Sequence, residues 1–134
     1  MKPFVYKATE YLAEQSDRFT FNVENANLLV GELIQGENGV YSIATSGLIP
    51  ENETTIEHHI IEFWAKNKST GVAFDDLADV KKIFHRAEHY NIGDYYVYLS
   101  QITGEIADFD KDAEGRKVLK INVHFIIRNT NLIS

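Results

Sequence analysis

The stretch from Lys117 to Arg128 constrains the fold more than any other segment. Leu119, Ile121, Val123, Phe125 and Ile127 occupy every second position in it. Successive side chains of a strand point to opposite faces, so this period marks a strand with one apolar face. A helical pattern elsewhere in the chain can cover such a face. Ala73, Leu77, Val80, Phe84 and Ala87 follow a four-three alternation, with Ile83 widening the stripe. The helix is expected within Asn67 to Tyr90, capped by Ser69 or Thr70. Asp75, Asp76 and Asp79 come early in it and Lys81, Lys82 and Arg86 late, an order that complements the helix dipole.

The other segments fit around these two. Met1 to Gln15 reads as a helix with Phe4, Val5, Ala8, Tyr11 and Leu12 on one face and Pro3 in its first turn. Phe19, Phe21 and Val23 alternate with polar residues, which predicts a strand over Arg18 to Val23. Asn27 to Ile34 is a second candidate strand. Gln35, Gly36, Glu37, Asn38 and Gly39 form a turn cluster, and Asn-Gly favours a tight reversal, so Val40 to Thr45 reads as the return strand of a hairpin. Ser46 to Glu53 reads as a polar loop. Thr54 to Ala65 is a long strand with mixed faces, Trp64 on one side and Phe63 on the other. Asp94 to Ile102, running on through Ile106, is a strand rich in tyrosine. Asp108 to Arg116 is a charged turn. The order predicts an α+β fold: a mixed, mostly antiparallel sheet of four to six strands, with two helices packed on one face. One domain, residues 1–134, is expected.

A chain of 134 residues buries roughly two thirds of the surface it exposes when unfolded, enough for a core without staples. It has no cysteine, which excludes disulfides, thiol nucleophiles and cysteine zinc sites and suits a reducing compartment. Glu10 and Glu14 interrupt the N-terminal segment, which does not read as a signal peptide, and the apolar runs are too short to cross a bilayer. The net charge of −7 comes without a basic stripe, so gripping nucleic acid is not expected.

Two local motifs suggest chemistry. His85-Arg86-Ala87-Glu88-His89 matches the H-x-x-E-H pattern, in which two histidines four apart on a helix bind zinc and the glutamate acts as base. His85 and His89 are therefore candidate metal ligands. His58, His59 and His124 are available as a third. The competing reading is a cationic helix end offsetting the dipole. Asp108 to Asp112 begins like a calcium loop, but Ala113 replaces the turn glycine and Leu119 the bidentate glutamate. No Gly-rich phosphate loop or nucleophile elbow is present, and no cofactor is expected.

Tyr95 and Tyr96 point to opposite faces of one strand, so one ring is free to lie on an uncovered face. A tyrosine-rich open face has the composition of a protein interface.

The run Ile61-Glu62-Phe63-Trp64-Ala65-Lys66-Asn67-Lys68 leads into the capped helix, which leads to His85-Arg86-Ala87-Glu88-His89-Tyr90. Gly93-Asp94-Tyr95-Tyr96-Val97-Tyr98, then Ile106 to Lys117, then Ile121 to Asn129 follow. Over residues 56–129 this succession resembles the minor capsid, or tail-completion, proteins of long-tailed phages of Gram-positive hosts, which are similar to phage tail terminators. The N-terminal third agrees in layout only. The resemblance implies a structural virion protein of the tail, assembled in the host cytoplasm, rather than an enzyme. It implies a ring, usually of six subunits, at the head-facing end of the tail tube. The ring would stop tube growth and join the tail to the head-completion or connector protein, with DNA passing through its channel. Its partners would be further copies of itself, the tail tube protein and the connector.

Tyr95, Tyr96, Tyr98 and Trp64 are candidates for the subunit interface. Gln35, Gly36, Glu37 and Asn38, with Asp110, Lys111, Asp112, Glu114 and Arg116, are candidates for tube or connector contacts. Two other readings are open: a small cytoplasmic binding protein of the immunity type, and a zinc-dependent hydrolase using His85, Glu88 and His89.

Overall fold

The sheet is built outward from the strand with the strictest alternation. The computed structural model describes residues 3–31, 38–50 and 56–129, with backbone alone for 46–50 and 129. Its elements are α1 (Phe4–Gln15), β1 (Leu28–Val30), β2 (Gly39–Pro50), β3 (Ile56–Asn67), α2 (Thr70–Phe84), β4 (Ala87–Ile92), β5 (Tyr95–Lys111) and β6 (Lys117–Asn129). The strands lie in the order β1-β2-β3-β6-β5-β4. β6 therefore sits inside the sheet, between β3 and β5. All five of its alternating apolar residues are buried.

Both helices cover the face those residues make. Phe4 of α1 meets Phe125 edge-on at 5.0 Å, and Phe84 of α2 packs on Phe63 at 5.7 Å and on Phe125 at 5.1 Å. Each fully buried ring is worth roughly 1.5–3 kcal/mol over an exposed one. Ser69 caps α2 by accepting the Val72 N–H at 3.3 Å, and His85 N–H closes the other end on the Lys81 carbonyl at 2.8 Å. The two helices on one face of a six-stranded mixed sheet make this an α+β fold.

Several local expectations fail. Arg18 to Val23 is not a strand. Asn22 and Asn25 turn the chain with φ of 61° and 59°. Asn27 Oδ1 accepts the Thr20 N–H at 2.7 Å and its Nδ2 donates to the Arg18 carbonyl at 2.8 Å, closing the segment as a loop. Asn residues tolerate this left-handed conformation better than most. Phe19 is buried, while Val23 is 60% exposed. β1 and β2 do not form a hairpin: they pair in parallel, Leu28 opposite Val40. Gly39 serves close approach instead, since a Cβ there would stand 2.9 Å from the Asn27 carbonyl oxygen. β2 continues to Pro50, so 46–50 is strand and not loop. β5 likewise runs to Lys111, leaving only 112–116 as the charged turn. Pro3 stands one position before α1, its carbonyl accepting from Tyr6 and Lys7.

Candidate interaction surface

Residues paired across neighbouring strands share a face, so the ladders define what lies opposite the helices. Tyr41, Trp64, Lys120 and Ala107 run across it in register, as do Ile60, His124 and Gln101. Between Val97 and Leu99 the register of β5 on β6 slips by one residue. Tyr98 occupies the slip, and its ring meets that of Tyr96 edge-on at 5.0 Å.

Tyr41 is fully buried there, and three further groups of side chains occupy this face, which neither helix covers. In the first, Trp64 stacks on Phe109 at 5.0 Å, and Lys120 Nζ lies 5.4 Å from the Trp64 ring and 5.8 Å from Phe109. Glu62 anchors both partners, accepting from Trp64 Nε1 at 3.1 Å and from Lys120 Nζ at 3.4 Å. In the second, Tyr96 hydrogen-bonds His89 Nδ1 at 2.7 Å, and the Arg128 guanidinium stands 6.0 Å from its ring. In the third, His58 Nδ1 and His124 Nε2 are 2.9 Å apart. Burial, and then the neighbouring His58, hold His124 below the usual histidine range, which favours the neutral form that can share such a bond.

Tyr95 is on the other side. Its ring packs on Phe4 at 5.0 Å and is 6% exposed, so it belongs to the core beneath α1. Tyr96, Tyr98 and Trp64 remain on the uncovered face, half-buried. Phe109, 52% exposed, joins them although sequence reasoning placed it only in a charged turn. An aromatic residue inside an acidic run was the available signal.

The charged-turn candidates divide by role. Asp112 Oδ1 accepts the N–H groups of Glu114 and Arg116 at 2.9 Å each, and its Oδ2 lies 3.4 Å from Lys66 Nζ. The Arg116 N–H is the main cause that holds this carboxyl below its usual range. Arg116 is buried; it pairs with Glu114 and donates from Nε to Asn38 Oδ1 at 2.9 Å. Asn38 and Arg116, proposed separately from the sequence, are thus brought together as a structural tie. Lys117 holds Asp108 at 2.7 Å and reaches Asp110 at 3.7 Å. Asp110, Lys111 and Glu114 are exposed. Gln35, Gly36 and Glu37 lie outside the described residues.

The H-x-x-E-H segment is not helical. α2 stops at Phe84, Arg86 and His89 have φ of 56° and 53°, and Ala87 begins β4. β5 captures the helix end: Ser100 Oγ donates to the Phe84 carbonyl at 2.8 Å, and Ile102 N–H donates to His85 Nδ1 at 3.1 Å. Since the Ser100 proton is used there, Tyr90 is the donor in its 2.6 Å bond to Ser100 Oγ, and burial raises its pKa. With His85 engaged by β5 and His89 by Tyr96, the two histidines do not share a helix face as the peptidase motif requires. Among the described residues no three His, Asp or Glu side chains are grouped to hold a metal.

The face opposite the helices carries partly exposed aromatic side chains, as protein contact surfaces do. A family model described as bacteriophage tail terminator protein matches residues 33–129. The chain belongs to this family. The match begins well before residue 56 and takes in the whole of β2, so the tail terminator likeness is not confined to the second half. No curated protein matches the chain. The family identifies a structural component of the phage tail. Among the described residues no helix is long and apolar enough to cross a membrane.

Proposed function

We propose that this tail terminator closes into a ring of six at the head-proximal end of the tail tube, stops its growth, and presents a surface to the head-completion or connector protein. The observation that carries this reading is the aromatic face opposite the helices, where Phe109 is 52% exposed and Trp64, Tyr96 and Tyr98 are half-buried. Aromatic side chains that keep part of their area in water are the usual anchors of protein contacts. A ring forms when two different patches meet head to tail and the rotation closes. The net charge of −7 suits a channel through which DNA passes without sticking.

Light scattering over a wide concentration range tests the ring. Six subunits of 15.3 kDa give a species of about 92 kDa. The same sample is added to isolated tails that lack their terminator. A protein that stays monomeric in solution and neither caps the tails nor blocks further tube growth overturns the proposal.

A further inference from the structure

The outer side of α2 carries a second surface. Phe74, Ala78, Lys81 and Lys82 are spaced four, seven and eight residues from the first, which places them on one side of the helix. All four are exposed. Of the acidic residues of the same helix, Asp76 is buried and Asp79 half-buried, whereas Asp75 stays 68% exposed on the same side as Lys82. Asp75 and Asp76 reach Arg18 at 3.7 and 3.3 Å, and Asp79 accepts from Ser16 at 2.6 Å. Lys81 and Lys82 form no ion pair among the described residues. This side of the helix thus shows Phe74 and Ala78 in its first half, with Asp75 at the edge, and Lys81 and Lys82 in its second.

The arm made by the far ends of β5 and β6 shows the converse. Residues 103–116 hold five acidic and two basic side chains. Ile106 is 38% and Phe109 52% exposed. Glu105 has no ion pair among the described residues, and Asp110, 90% exposed, keeps only the 3.7 Å contact with Lys117. The arm is held in place by Asp108–Lys117, Asp112–Lys66, Arg116–Asn38 and the Trp64 stack. It is therefore preorganised, which lowers the entropy cost of docking.

We infer that the outer face of α2 receives the acidic β5–β6 arm of a second copy of this chain. Asp75 on α2 and Lys111 on the arm are exposed as well. The surplus is nevertheless basic on the helix, from Lys81 and Lys82, and acidic on the arm, from Glu105 and Asp110, each beside exposed apolar side chains. Phe109 of the arm stacks on Trp64 on the face of the sheet opposite the helices, whereas α2 lies on the other face, so one subunit offers the two patches on opposite sides. Arm against arm would set acid against acid, and helix against helix would set lysine against lysine. Opposite charge thus selects the head-to-tail contact and disfavours the two-fold one. This inference rests on the ring proposed above and names one part of its contact, beside the part expected of Tyr96.

Two charge-reversed proteins test it. One carries Lys81→Glu and Lys82→Glu, the other Glu105→Lys and Asp110→Lys. All four positions are exposed, and circular dichroism confirms that each variant folds. Assembly is read by light scattering, and by retention on isolated tails. Each variant alone presents like charges at every contact, and its half-assembly concentration is expected to rise at least tenfold. Mixed in equal amounts, the two can alternate around an even-numbered ring with every contact complementary, and assembly is expected to return to near the parent value. Parent-like assembly by both variants alone, or a mixture that assembles no better than its components, overturns this contact while leaving the ring intact. A parent protein that fails both in solution and on tails overturns the ring, and the contact with it.

Discussion

On the helix-covered side of the sheet, Phe4 and Phe84 meet Phe125 at 5.0 and 5.1 Å; on the other side, Trp64 and Phe109 stack at 5.0 Å. The separations are the same, yet Phe125 is fully buried and Phe109 is 52% exposed. Ring separation alone therefore does not distinguish a buried cluster from a half-exposed one. What differs is the third layer. Helices close the first cluster against water, whereas neither helix lies over the second, and Lys120 and Glu62 keep its rim polar. The first face supplies stability. The second retains apolar area in water, which the proposed ring would bury.

Substitutions can break this division at either face. The largest effect is expected from Phe125→Ala, which should cost about 3–5 kcal/mol in denaturant unfolding, because the residue sits between both helices and the sheet. A loss below about 1 kcal/mol would mean that the covered face is not the main source of stability. Tyr96→Asp inverts the pattern. It should abolish assembly while changing unfolding by about 1 kcal/mol or less, since half-exposed positions contribute little to the monomer. A ring formed by this variant would remove Tyr96 from the interface.

Asp76→Asn gives the smallest expected effect and sharpens the comparison, because it places a charge on the covered side. Burial, partly offset by Arg18, raises the Asp76 pKa from 3.8 to about 6. A raised carboxyl binds more protons folded than unfolded. Its contribution is thus fully present below pH 3.8 and lost as pH rises through about 6. Asparagine keeps an acceptor for Arg18 without the buried charge. The variant should be more stable by about 1 kcal/mol at pH 7 and should lack the decline between pH 4 and 6. Equal pH profiles for the two proteins would show that Arg18 fully compensates the charge.

Much of this layout was legible in the sequence. β6 and α2 announce themselves because their apolar periods are long and each has one buried face; the Ser69 cap follows from its place before the stripe. The misses share a cause, which is that a short local pattern lost to a distant partner. Phe19, Phe21 and Val23 alternate, but Asn27 closes their backbone into a loop. The helical period extends to Ala87, but Ser100 and Ile102, far along the chain, end the helix at Phe84. Asn38-Gly39 reads as a reversal, yet Asn38 binds Arg116 and Gly39 makes room for Asn27. For the site, alternation separated Tyr95 from Tyr96 without saying which ring was covered. Only the pairing of β5 with β6 decides that, together with the place of Phe109 beside Trp64.

The slip at Tyr98 also bears on how such a strand tolerates gain or loss of residues. On β6, Ile126 and Ile127 are consecutive, while their partners on β5, Leu99 and Val97, enclose Tyr98. On the outer side, Glu88 and Tyr90 pair with Leu99 and Val97 and enclose His89, whose φ is 53°. Tyr98 and His89 are thus matched supernumerary residues in adjacent strands. Losing both together would leave every remaining pair in step and every side chain on its own face. Losing Tyr98 alone would keep β5 aligned with β6 and throw β4 out of step, while losing a residue from 100–102 would turn the strand beyond it inside out. For length variation, these two positions behave as one.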